Sequence, residues 1–441
     1  MPIHKRSRQR PQQPCDEANV RGRDGCPQAG CTRLAIGPGP CALIARSCQI
    51  GTGRRLARLV RLVAMQIKPF RIEQYFGKYE FTAKYLLSSS DAESRTIQEL
   101  LDLEPGSTER FHRHWCGYTE SPGAPLLREV ISGMYRGIAP ADVLVTAATE
   151  EGIFVFYHAL LLPGDHVIVE TPCYESALEV ARSTGAQISE WRRWFENGWA
   201  HDLAALEKLI RPNTKIIYIN TPHNPTGLLM PVNVFQQILR LAAARGIIVF
   251  CDEVYRELEH DPGARLPAAC EIYERGVSLG SMSKTYGLPG LRLGWLVTKD
   301  AKILQRCLEF KYYTSICSSA PSEFLSALAL RHRDVLVQRN REIVLRNLLV
   351  LDAFFRQRSS LFEWVKPNAS PIGFVRYKPD RDVLPFCEDV VGKAGVLLLP
   401  GTVYDQPRHI RFGYGRKNMP EALAQFSAYI DTHCEFGVSA G

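Results

Sequence analysis

The sequence predicts an α/β protein: a mostly parallel sheet flanked by helices, followed by a smaller α+β segment. Three observations predict it. From about residue 140, apolar strand-like runs alternate with helical patterns, the sign of parallel strands joined through helices. The run 247–252 is apolar almost throughout, as in a strand buried on both faces. Polar residues of different chemistry follow four separate strands: Thr149, Asn224, Asp252 and Lys284. Open α/β sheets hold their ligands at those strand ends.

The elements follow in order. A strand over 143–146 leads to a helix over 150–162, stopped by Pro163, Gly164 and Asp165. Proline and glycine together punctuate such patterns. A strand over 166–170 precedes a helix over 174–184 ending at Gly185. A strand over 215–220 and a helix over 231–244, closed by Arg245 and Gly246, come before the strand 247–252. A strand over 277–281 runs into a loop, and one over 294–297 runs out of it. Residues 300–357 read as long helices. Strands over 362–365, 374–377, 396–399 and 409–412 make the smaller segment.

Composition bounds the function. With 441 residues, 45% hydrophobic and 23% charged, the chain has the make-up of a globular protein of about two domains. The net charge of +8 is misleading, because residues 1–64 hold 12 Lys and Arg against 3 Asp and Glu. The rest is close to neutral, so charge makes no case for nucleic acid. Residues 1–64 mix Arg, Pro, Gly, Gln and Cys without a period, a composition that builds no core. They are expected to be a disordered, dispensable extension, with the ordinary sequence opening at Met65. Five of the 13 cysteines lie in the first 48 residues and the others are scattered singly. That spacing points to neither a zinc site nor a disulfide scaffold, so reduced thiols and a cytoplasmic location are expected. No apolar run reaches the ~18 residues of a membrane span.

The loop "SMSKTYGLPGLRLGW" places Lys284 among Ser and Gly, with Arg292 eight residues on. Such a loop approaches a phosphate closely. A partly desolvated lysine on it is a candidate amine nucleophile.

Together with "NTPHNPTG" (220–227) and "CDEVY" (251–255), this loop resembles the class I and II aminotransferases, pyridoxal-phosphate (PLP) enzymes of fold type I. The resemblance covers roughly 118–412. It implies a large domain with a mostly parallel seven-stranded sheet over 106–331 and a small α+β domain over 332–441, with 65–105 as an arm packing on the small domain. It implies that Lys284 joins PLP as a Schiff base and moves the proton at the substrate Cα. Asp252 then pairs with the pyridine nitrogen, keeping it charged. Tyr255 and Asn224 reach the ring oxygen, and Tyr174 in "TPCY" stacks on the ring. Arg292, Ser281, Ser283, Thr149 and the backbone at Ala148 in "TAATEEGI" hold the phosphate. Arg411 in "HIRFGYG", with Asn224, grips the substrate carboxylate. Tyr118 in "YTESPG" reaches the phosphate of a second subunit, which implies a homodimer with shared sites. No metal is implied.

The chain departs from the family in places. Ala148 stands where the family usually has glycine. The stretch "YLLSSSDAESRTIQEL" (85–100) lacks the family's glycine and proline. The chain also has some likeness to the capreomycidine synthase subgroup, which uses PLP to eliminate and recyclise a hydroxylated arginine. Asp91 and Glu93 are candidates to face a basic side chain. Transamination of an amino acid with a 2-oxo acid, and elimination with cyclisation, both start from Lys284, so the motifs leave both open. A DNA-binding role for 1–64 lacks a helix-turn-helix period.

Overall fold

The structure, a computed structural model, describes residues 67–433; the expectations placed on 1–64 lie outside them. Among the described residues, the strands form three sheets. The shortest pairs β1 (Tyr85–Leu86) in parallel with β11 (Val396–Leu397). The largest contains β2 (Val143–Thr146), β3 (His166–Thr171), β4 (Gln187–Arg192), β5 (Thr214–Asn220), β6 (Ile248–Asp252), β7 (Gly276–Ser281) and β8 (Gly294–Val297). Their order is β2-β8-β7-β6-β5-β3-β4. All neighbours run parallel except at β8, which is antiparallel to both β2 and β7.

The continuous apolar strands are buried on both faces, as their composition predicts. On β5 and β6, Ile216, Tyr218, Ile248 and Phe250 join one core with the helix Ala148–Leu160 through Ile153 and Phe156. The alternate residues Ile217, Ile219, Val249 and Cys251 join another with the helix Val232–Ala243 through Phe235 and Ile238. This is the period of two that a strand imposes. It leaves the carboxyl ends of β5, β6 and β7 as the open rim where side chains reach a ligand.

The third sheet is antiparallel, in the order β12 (Leu399–Pro400), β13 (His409–Gly413), β10 (Ile372–Tyr377), β9 (Phe362–Trp364). Helices Arg333–Gln357 and Met419–His433 cover it with Val344, Leu351, Phe355 and Phe426. On β13, Ile410 and Phe412 enter that core, so Arg411 between them points the other way.

Three features differ from the sequence expectation. The run 396–399 is split between β11 and β12, in different sheets. The edge strand β4, "QISEWR", lacks an apolar run because its residues are mostly half-buried or exposed. The helix Arg71–Tyr79 precedes the region where alternation begins. Among the described residues, no helix is long and apolar enough to cross a membrane.

Candidate active site

A cavity of about 420 Å³ opens at the carboxyl ends of β5–β7 and is closed from the opposite side by β13. Nine of the residues singled out from sequence line it: Thr149, Tyr174, Asn224, Asp252, Tyr255, Ser283, Lys284, Arg292 and Arg411.

Lys284 sits on the loop between β7 and β8, whose base is closed by the pairing of Ser281 with Gly294. Its Nζ donates to Ser90 Oγ at 2.9 Å. Burial lowers its pKa from the usual lysine range, and the Arg411 charge adds to this against the pull of Asp91, Glu73 and Asp252. An amine of lowered pKa is the form that acts as nucleophile and proton carrier. The 88–92 segment lies over it, and the Ala92 N–H donates to the Lys284 carbonyl at 3.2 Å. That segment runs hard against β13. A Cβ on Gly413 would meet the Ser89 carbonyl at 1.9 Å, and one on Gly415 the Asp91 carbonyl at 2.3 Å. Only glycine permits backbone contact this close.

Asp252 ends β6 in the middle of the sheet. Its carboxylate accepts from the Tyr218 hydroxyl at 3.1 Å and the Val254 N–H at 3.1 Å. Burial pushes its pKa up to about 6, although those bonds and Lys284 oppose the rise. A nearby cation would restore its charge.

Arg411 is buried. Its Nη1 donates to Tyr404 Oη at 2.6 Å and to Asn224 Oδ1 at 3.2 Å, and its Nη2 donates to the Ser88 carbonyl at 3.0 Å. Its Nε, also buried, has no partner. An unmet buried donor of this kind is costly; the Arg411 side chain also lines the cavity, where a guanidinium can pair with a carboxylate.

The opposite end is made of hydroxyls and positive charge. The helix Ala148–Leu160 begins there with Thr149 on the lining, near Ser283 and Arg292. Ala148 has φ +67°, in the left-handed region. This accounts physically for the family's preference for glycine at that place.

Three of the singled-out cofactor and substrate residues are not on the lining: Ala148, Ser281 and Tyr118. Ser281 is buried, and its Oγ accepts from the Ser283 N–H at 3.0 Å, shaping the turn instead of lining the cavity. Tyr118 is 84% exposed and does not line the cavity of its own chain. Tyr174 lines the cavity and its hydroxyl donates to Glu73 at 2.5 Å. Tyr255 is buried against the site, and burial raises its phenol pKa well above the usual range.

Sequence reasoning found one member of an acidic wall, Asp91, and missed Glu73, Glu80 and Glu150. Glu73, Glu80, Asp91 and Glu150 all line the cavity. Glu73 arrives on the helix Arg71–Tyr79, which Arg71 anchors to Glu175 at 2.6 Å and Asp405 at 2.8 Å. The spacing of Ile72, Tyr75 and Tyr79, an i, i+3, i+7 stripe, was the available signal for that helix. Burial pushes the Glu150 carboxyl up to about 7, with Glu73 and Asp252 adding to the rise. Asp91 accepts from Arg416 at 2.7 Å. Glu93 accepts from the Lys417 backbone N–H.

The aminotransferase class I and II family model matches residues 85–426, and the chain belongs to this family. It is 28% identical over 367 residues to capreomycidine synthase of Streptomyces vinaceus, covering 82% of this chain and 94% of that one. It is 26% identical over 324 residues to aspartate aminotransferase of Thermotoga maritima, covering 71% and 84%. The crystal structure of a PLP-dependent aminotransferase from Streptococcus suis superimposes with a TM-score of 0.79 at 30% identity, covering 83% of this chain and 98% of that one. The fold is fold type I, the protein is an enzyme of this class, and its cofactor is PLP. The donor set fits that cofactor: an amine, a carboxylate, and a guanidinium with hydroxyls at a helix start, all on one cavity.

Proposed function

We propose that this protein transfers the amino group of an amino acid to a 2-oxo acid. One observation carries the reading: Lys284, Asp252 and Arg411 all line one cavity. Lys284 holds the cofactor covalently, and once released takes and returns the proton at the substrate Cα. PLP, when bound, supplies the electron sink for the charge left at that carbon. With PLP bound, Asp252 would pair with the ring nitrogen, Asn224 and Tyr255 would donate to the ring oxygen, and Tyr174 would stack on the ring. Ala148, Thr149, Ser281, Ser283 and Arg292 bind or shape the phosphate end, Tyr118 serves the site of a second copy, and Arg411 orients the substrate carboxylate. In this reading residues 106–331 are the large PLP-binding domain, 332–441 the small domain and 65–105 an arm packing on it, in a cytoplasmic homodimer.

The acidic wall supports a substrate with a basic side chain. Of the four carboxyl groups, Asp91 is paired with Arg416 and burial pushes Glu150 up to about 7, so Glu73 and Glu80 are the charges that favour a cation over a dicarboxylate. The same wall, with the likeness to capreomycidine synthase, favours a second reading, elimination and cyclisation of a hydroxylated arginine. The two separate in one assay. The PLP-loaded protein is given amino acids singly, including L-arginine and its hydroxylated forms, with and without a 2-oxo acid. Transamination yields a new 2-oxo acid only when the acceptor is present, in equal amount to the amino product. Cyclisation yields product from hydroxylated arginine alone, with the hydroxyl leaving as water. No product from any amino acid under either condition would refute both.

A further inference from the structure

Behind the cavity, outside its lining, lies a buried polar chain to which the family roles assign nothing. Glu170, the next-to-last residue of β3, is fully buried. One carboxylate oxygen accepts from Arg193 Nη1 at 3.0 Å and is 2.8 Å from His201 Nε2. The other accepts from the backbone N–H of Asn220 at 3.0 Å. Burial alone would raise the Glu170 pKa, but His223, His201 and Arg193 outweigh it and keep the carboxyl ionised. Asn220 is also buried and ends β5 directly opposite Asp252. Its side-chain Nδ2 donates to the Asp252 carbonyl at 2.9 Å, and its Oδ1 accepts from the Asn224 N–H at 2.6 Å. One amide thus ties the strand end bearing Asp252 to the loop bearing Asn224. Asn224 Oδ1 is taken by Arg411 and Tyr404, which leaves the Asn224 NH2 as a donor for the cavity it lines.

We propose that Asn220, fixed by Glu170, is a positioning residue that sets the spacing between Asp252 and Asn224. It touches neither substrate nor cofactor and acts through those two. The arrangement suits this task, because both bonds of the Asn220 amide are to backbone and both are shielded from water. Arg193 neutralises Glu170, so the charge that holds the Asn220 backbone is not left alone in the interior. The inference rests on reading Asp252 and Asn224 as cofactor contacts.

The test compares Asn220→Ala, Glu170→Gln and a control, Leu206→Ala. Leu206 is fully buried in the core on one face of the sheet, with no bond to the site. Three quantities are read: exchange of the Asn224 amide hydrogen in cofactor-free protein, the dissociation constant for PLP, and the pH midpoint of the bound cofactor's absorbance. Asn220→Ala is expected to speed the exchange and weaken PLP binding, each by about tenfold or more, and to shift the pH midpoint. Leu206→Ala, compared at an equal drop in melting temperature, should move none of them. Glu170→Gln should move them in the same direction by less; if it fails to fold, Asn220→Ala decides alone. PLP affinity and pH midpoint no different from Leu206→Ala would overturn the proposal, provided Asp252→Asn weakens PLP. If Asp252→Asn also leaves PLP binding unchanged, the reading of Asp252 falls, and this proposal with it.

Discussion

Arg411 Nη1 lies 3.2 Å from Asn224 Oδ1, a contact that joins β13 of the small antiparallel sheet to the loop after β5 of the large one. The cavity exists because these two sheets meet there. The same contact, with the bonds to Tyr404 and the Ser88 carbonyl, fixes the orientation of the guanidinium at the cavity.

Arg411→Lys is therefore expected to raise KM for the amino acid about 100-fold, with a smaller effect on kcat. A lysine supplies charge but no planar fork, and a lost hydrogen bond to a charged group is worth up to about 3 kcal/mol. Steady-state kinetics checks the split. An unchanged KM would remove Arg411 from carboxylate binding.

Lys284→Ala is expected to abolish turnover while leaving PLP bound through the other contacts. Lys284→Met also makes a statement about stability. In the fold the lysine pKa lies below its ordinary value of 10.5, so the unfolded chain takes up a proton that the fold resists. Stability lost this way grows as pH falls below about 10.5 and vanishes above it. Cofactor-free Lys284→Met should thus melt higher than the wild type at pH 7, with the gap closing toward pH 11. Calorimetry across that range checks it.

Asp252→Asn should trade function for stability. The folded carboxyl titrates near 6, above its ordinary 3.8, so ionising it in the fold is penalised at every pH above about 6. The penalty fades as pH falls from 6 toward 3.8. Removing the charge should stabilise the cofactor-free protein at pH 8 by at most about 3 kcal/mol and nearly abolish activity. Denaturant melts at pH 8 and pH 4 test the sign, since the gain should be small at the lower pH.

Glu73→Gln and Glu80→Gln should each lower kcat/KM for a basic amino acid about tenfold, a value typical of one lost charged hydrogen bond. They should change kcat/KM for a neutral amino acid much less. Equal losses for both would mean that the wall does not select the side chain.

The strand ends were legible as a set. Singly, Asn224 before proline, Asp252 after an apolar run and Lys284 among small residues each have an ordinary structural use; their order and spacing together pointed to one site, and all three line one cavity. The doubly buried strands were legible from their apolar runs alone. The edge strand β4 was not, because half-exposed strands carry mixed sequence. The acidic wall was hidden for a different reason. Asp91 was singled out, but Glu73 and Glu150 are ordinary residues at helix starts, and only the folding of 71–92 over the rim of the sheet brings them together with it. In sequence Ser281 is the serine at the motif's position, yet Ser283 lines the cavity, because the turn between them commits the Ser281 Oγ to the Ser283 N–H.

The most direct test of the central claim is to reduce the PLP-loaded protein with borohydride, digest it and find the peptide that carries the cofactor. The peptide containing Lys284 is expected to carry it, and Lys284→Ala should carry none. Cofactor fixed to another lysine, or to no peptide at all, would contradict the assignment of this cavity as the active site.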